Sequence, residues 1–147
     1  MTYIDLLGMP LKSDFLCDLF ETYDVQVVYE YDRTHENLAD EYRAEIPDLG
    51  LQFVFDESQT FKTLFKEQVE INTFNPFDGE GEEFKLFESK GDAKLFAVEN
   101  GIQISEGSAE LFGEERDWVR FEYSSYTIHY EYVGSKLRMI TLQVKSA

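Results

Sequence analysis

Two histidines and one cysteine are the side chains in this sequence best suited to catalysis or metal binding. His35 is followed by Glu36, as at the start of a helical zinc-protease site, but Asn37-Leu38-Ala39 follows where a second histidine is required. His129 lies in an alternating run that sets Arg120 and Ile140 across from it, with no carboxylate or serine at hand. Cys17 falls between apolar residues of a helical stripe, the setting of an inert buried thiol. Asp78, Glu80, Glu82 and Glu83 offer oxygen ligands, but the run lacks the glycine at its sixth position and the glutamate at its twelfth that a calcium loop needs. No phosphate-cradling glycine loop and no Gly-x-Ser-x-Gly elbow is present. The expectation is a protein that is not an enzyme, with no catalytic residues, no metal ligands and no cofactor.

Charge narrows the partners. Lys plus Arg number 13 against 30 Asp plus Glu, a formal charge of −17 over 147 residues. Such a surface repels nucleic-acid backbones and anionic membranes and steers toward basic proteins. One cysteine makes no internal disulfide. No apolar run approaches the ~20 residues of a membrane helix. Asp5 stands where a signal peptide carries basic residues, so a cytoplasmic protein is expected. Hydrophobic residues at 43% and aromatics at 16% supply a core.

The elements that hold these residues follow from periodicity. Residues 2–7 predict a short helix ended by Gly8 and Pro10. Ser13 caps a second helix with Phe15, Leu16, Leu19, Phe20 and Tyr23 on one stripe. The period then drops to two. Strands are expected over Val25–Tyr31, Tyr42–Ile46 and Leu51–Phe55, with a fourth carrying Phe61, Phe65, Val69 and Ile71 on one face. Acidic loops are expected at Asp32–Glu41 and Glu106–Asp117. Ser89 caps a helix running to Asn100-Gly101, and Ile102 and Ile104 mark a short strand. Trp118–Tyr123, Tyr126–Val133 and Leu137–Val144 are strands joined by two-residue turns. That register opposes Val119 to Tyr130, Phe121 to Ile128 and Tyr123 to Tyr126 on a buried face, and Arg120 to His129 and Glu131 to Arg138 on the other.

The fold class expected is α+β, one domain over 1–147. Its two helix-plus-meander halves span 1–72 and 88–147, joined by an acidic loop at 73–87. Laying residues 25–55 over 102–132 sets Ala44 and Ile46 on Phe121 and Tyr123, and Phe53 on Tyr130, the pattern of an internal duplication.

Three stretches carry a family resemblance. They are Leu6-Leu7-Gly8-Met9-Pro10-Leu11 with Ser13; Gly50-Leu51-Gln52-Phe53-Val54-Phe55-Asp56; and the ending built on Arg116-Asp117-Trp118, Arg120-Phe121, Tyr123, Tyr126, Ile128-His129 and Glu131-Tyr132, then Leu137 and Met139-Ile140-Thr141-Leu142. The chain resembles bacterial immunity proteins of polymorphic-toxin and contact-dependent-inhibition systems. The resemblance implies an inhibitor that binds a cognate toxin, a nuclease being the class whose basic groove suits this charge. Phe77–Phe87 departs from the family pattern in being acidic, which makes Asp78, Glu80, Glu82 and Glu83, with Phe77 and Phe84 as aromatic anchors, the expected toxin contacts. Two rival readings stand: an acidic nucleic-acid mimic that inhibits a DNA- or RNA-binding protein, and a small-ligand binder or orphan enzyme built on a deep apolar pocket.

Overall fold

Alternating apolar residues need a second layer to cover one face, and among the described residues three helices cover one face of a single sheet. A computed structural model describes residues 3–23, 25–30, 40–67 and 85–145. In chain order its elements are α1 (Tyr3–Leu6), α2 (Asp14–Thr22), β1 (Gln26–Glu30), β2 (Glu41–Ile46), β3 (Leu51–Phe55), β4 (Phe61–Glu67), α3 (Lys90–Glu99), β5 (Gln103–Leu111), β6 (Glu114–Glu122), β7 (Tyr126–Val133) and β8 (Lys136–Val144). The sheet order is β1-β2-β3-β4-β8-β7-β6-β5, every neighbour antiparallel. The fold is α+β and sheet-dominated, and the sheet does not divide into two helix-plus-meander halves. β4 and β8 would each expose unpaired backbone groups as a meander edge; instead they pair, with Leu64 opposite Leu142 and Phe65 opposite Thr141.

One row of directly opposed residues crosses all eight strands: Val27, Ala44, Phe53, Leu64, Leu142, Ile128, Phe121 and Ile104. Its middle, Ala44 to Phe121, is buried under the helices. Tyr3 and Phe20 set their rings 6.0 and 5.3 Å from that of Phe53, docking α1 and α2 on β3. Ala93 and Ala97, both buried, let α3 approach the other end, where Phe96 stacks 6.2 Å from Phe121. Lys66 lies among these core residues, 2% exposed, its ammonium 5.1 Å from the centre of the Tyr3 ring. Ser89 caps α3 as expected, its Oγ accepting from the Asp92 N–H at 3.1 Å. Ser13 stands at the N-cap of α2 but makes no side-chain cap, and its buried Oγ has no partner among the described residues.

Several sequence expectations hold in register: Phe121 opposes Ile128, Val119 opposes Tyr130 and Arg120 opposes His129. Others are corrected by two bulges. Between β3 and β4 the pairing passes from Phe55–Phe61 to Val54–Thr63, leaving Lys62 as an extra residue. Phe61 and Leu64, of opposite parity, thereby both face the core, and Phe65 faces away from it rather than sharing the face of Phe61. Val69 and Ile71 lie outside the described residues. Between β7 and β8 the pairing passes from Tyr132–Leu137 to Glu131–Met139, with Arg138 extra. The bulge lets Leu137, Ile140 and Leu142 share one face, and sets Thr141, not Ile140, across from His129.

The expected acidic loop at Glu106–Asp117 is a third correction. It is a long hairpin of β5 and β6, closed by Phe112-Gly113 after Leu111 pairs with Glu114. Its acids resemble a loop by composition, while the cross-strand ladder makes them strand.

Candidate functional site

The side chains expected to contact a toxin, Phe77, Asp78, Glu80, Glu82, Glu83 and Phe84, lie outside the described residues, as does His35. The chain is described again from Lys85, whose ammonium sits 4.4 Å from the centre of the Phe96 ring. Phe87 then anchors it to the core. Its ring lies 5.3 Å from Tyr130 and 5.8 Å from Phe121, and its carbonyl accepts the Tyr132 hydroxyl at 2.9 Å. Burial pushes the Tyr132 hydroxyl well above the ordinary tyrosine range, so it stays a donor.

The sheet face opposite the helices gathers the described arginines. Arg43, Arg116, Arg120 and Arg138, all the arginines among the described residues, stand on it with Lys62. Three glutamates each hold two cations. Glu41 meets Lys62 at 2.7 Å and Arg43 at 3.6 Å; Glu131 meets Arg138 at 3.1 Å and Arg116 at 3.6 Å; Glu122 meets Arg120 at 2.6 Å and Lys145 at 3.4 Å. Burial raises the Glu122 carboxyl, but hydrogen bonds from Ser105, Arg120 and Lys145 outweigh it and leave the group below the usual carboxylate range. Partly exposed pairs of this kind contribute about 0–1 kcal/mol each. Their larger consequence is electrostatic: the described arginines, with Lys62 and Lys145, are spent neutralising this one face.

His129 belongs to the same face. Its ring stacks on Trp118 at 5.3 Å between centres, with Arg120 over the indole at 6.0 Å, and Thr141 stands opposite on β8. No side-chain hydrogen bond ties it to a carboxylate or nucleophile among the described residues. Burial lowers its pKa, Glu131 opposes the shift and Arg120 assists it. A depressed pKa means the unfolded chain binds the proton first as pH falls. The stability His129 contributes is therefore complete above 6.5 and lost as pH drops through the lower folded value. His129→Gln should flatten the dependence of denaturation midpoint on pH between about 7 and about 5; an unchanged slope would assign it to the carboxylates.

The indole itself lies across the backbone of β5. Gly107 is opposite Trp118, and a Cβ added there would sit 2.6 Å from Nε1. Gly107→Ala should tilt the ring off His129, costing roughly 1–3 kcal/mol and shifting the emission of the sole tryptophan. An unmoved spectrum would show that the close approach is relieved without moving the ring.

Charge on the rest of the described surface is different. Asp5, Asp14, Asp18 and Glu21 are exposed on α1 and α2, with Lys12 the one cation in that stretch. Glu88, Asp92 and Glu99 are exposed on and beside α3. Glu106 is held by Lys94 at 3.0 Å and Lys90 at 3.6 Å; the hydrogen bond from Lys94 chiefly keeps its carboxyl below the ordinary range. Glu110, Glu114 and Glu115 crowd the end of the β5–β6 hairpin. Cys17 is half-buried on α2. Among the described residues no three histidine, cysteine, aspartate or glutamate side chains converge as a metal site, and no helix is long and apolar enough to cross a membrane. Two concavities among the described residues are open depressions. One of about 270 Å³ is lined by Leu86, Phe87 and Leu137, and another of about 210 Å³ by Arg43, Lys62, Thr63 and Phe65.

Comparison with known protein families, with curated proteins and with solved structures finds no match. The sequence signal for this segregation of charge was the alternation itself: Arg43, Arg116 and Arg120 occupy the parity opposite the apolar row. It becomes legible only once the strands are paired.

Proposed function

We propose that this protein is an immunity protein, which binds a cognate bacterial toxin in the cytoplasm and neutralises it by protein–protein contact. The observation that carries the reading is the segregation of charge. Described arginines are paired on one sheet face, while Asp14, Asp18 and Glu21 on α2 and Glu110 and Glu115 on the β5–β6 hairpin make no ion pair among the described residues. A surface of that sign accelerates encounter with a basic partner and suppresses acidic ones. A nuclease, whose substrate groove must be basic, is the toxin class that fits best. The acidic stretch with Asp78, Glu80, Glu82 and Glu83, flanked by Phe77 and Phe84, is proposed to add steering charge and contact surface.

The test is a growth-protection assay with the reading frame found directly upstream of this one in its genome, which the reading requires to encode a toxin domain. Cells expressing the toxin domain alone are expected to stop growing, and co-expression of this chain to restore growth with a stable one-to-one complex. Continued arrest, with no complex between the purified proteins, would overturn the reading.

We further propose that the two four-strand meanders share an ancestor. Strand order is symmetric about the β4–β8 seam, and each meander carries one extra residue at its last pairing, Lys62 and Arg138. On this reading Ala44 and Ile46 correspond to Val119 and Phe121. The alignment over Phe121 and Tyr123 is two residues out, because Ile46 directly opposes Leu51 whereas Phe121 reaches Ile128 through a longer connection.

A further inference from the structure

The tip of the β5–β6 hairpin is built against its own stability. Phe112 and Gly113 form its two-residue connection with φ of 52° and 79°, positive at both central positions as in a type I′ turn. That turn suits Asn-Gly; a phenylalanine there brings its Cβ against the following carbonyl oxygen. Burial does not offset the strain, because Phe112 is 95% exposed. The fold has a small-residue solution to the same problem: Gly134 and Ser135 close the β7–β8 hairpin with φ of 57° and 67°. A second local cost lies beside the first. Glu110 is directly opposite Glu115, a like-charge pair that weakens a hairpin.

The tip also extends past its neighbour. β7 last pairs with β6 at Val133–Arg116, and the Gly134 N–H donates to the Glu115 carbonyl at 3.0 Å. Phe112 stands beyond that point, with the exposed carboxylates of Glu110 and Glu115 on one face of the hairpin beside it and that of Glu114 on the other. Arg116, two residues beyond Glu114 on β6, pairs with Glu131 at 3.6 Å and Glu114 at 3.8 Å.

We infer that this tip is the insertion element of the protein: Phe112 enters an apolar pocket on a basic partner protein, and Glu110, Glu114 and Glu115 meet lysines and arginines on the pocket rim. The inference rests on the partner-binding reading above and names the contact within it. A single aromatic filling a pocket inside a polar ring is the usual form of a dominant interface residue. Charge complementarity selects the partner, since three carboxylates beside the ring would repel an acidic surface.

The decisive variant is Phe112→Asn in the full chain, with the inactivated toxin domain of the protection assay as the probe. Asn-Gly fits the turn better, so thermal unfolding should rise by about 2–6 °C. Affinity for the toxin domain should meanwhile fall by roughly 30-fold or more, mostly through faster dissociation. The paired change Glu110→Gln with Glu115→Gln should also raise the unfolding temperature, while slowing association several-fold at low salt. Wild-type-like affinity of Phe112→Asn would overturn the tip as the contact and leave the immunity reading intact. A lowered unfolding temperature would assign the ring to the fold and also overturn it. Failure of the wild-type chain to bind or protect would remove the partner reading, and the tip with it.

Discussion

Replacing Phe121 by alanine should cost about 3–5 kcal/mol, the usual range for an aromatic truncated in a packed core. The side chain is 1% exposed and touches both layers. Its ring lies 5.2 Å from Tyr130 within the sheet, 5.8 Å from Phe87 and 6.2 Å from Phe96 on α3. Neither helix nor strand can close the space alone, because α3 is already seated through Ala93 and Ala97. Against a total stability of about 5–15 kcal/mol, that loss removes a large part of the native population at ambient temperature. Denaturant titration followed by Trp118 emission measures it. A loss under about 1 kcal/mol would mean that α3 does not pack on this face.

A proline at the seam should have an effect of similar size over a wider region. Thr141 lies between Phe65 on β4 and His129 on β7, in a strand paired on both sides. Thr141→Pro removes a ladder donor and forces a ring into the middle of the sheet, an error costing about 3 kcal/mol or more. The seam joins the two meanders, so hydrogen exchange should accelerate together in β2 and β3 and in β6 and β7. Loss of protection confined to β5–β8 would instead identify two independent cooperative units.

These two substitutions act on the scaffold, whereas the proposed function depends on what the scaffold leaves outside. A continuous sheet with helices on one face has two surfaces of different character. The arginine-bearing face satisfies its own charges through Glu41, Glu122 and Glu131. Asp14, Asp18 and Glu21 on α2 and Glu110 and Glu115 on the hairpin make no ion pair among the described residues. A protein with −17 spread evenly would attract any basic surface weakly; here the described arginines lie on one face, and the exposed acids of α2 and the hairpin lie elsewhere.

Local pattern determined much of this by itself. The turn pair Ser124-Ser125 and the alternation around it were sufficient to oppose Phe121 to Ile128 and Arg120 to His129, because a short connection between unbulged strands leaves one register. Gly50 and Gly101 marked the ends they occupy, with φ of 67° and 64°, because few other residues adopt that backbone. Tertiary structure decided the rest. Nothing local announces that β4 meets β8, since hairpins specify neighbours in sequence and the seam joins strands far apart in it. The extra residues at Lys62 and Arg138 were hidden for a related reason. Strict alternation cannot bring Leu137 and Ile140 to one face, and only the demand of a shared core makes the strand bulge to do so. The hairpin from Glu106 to Asp117 escaped as well. Its acids and its Phe-Gly turn contradict strand propensity, and pairing with β7 through the Trp118 and Arg120 rows overrides that preference.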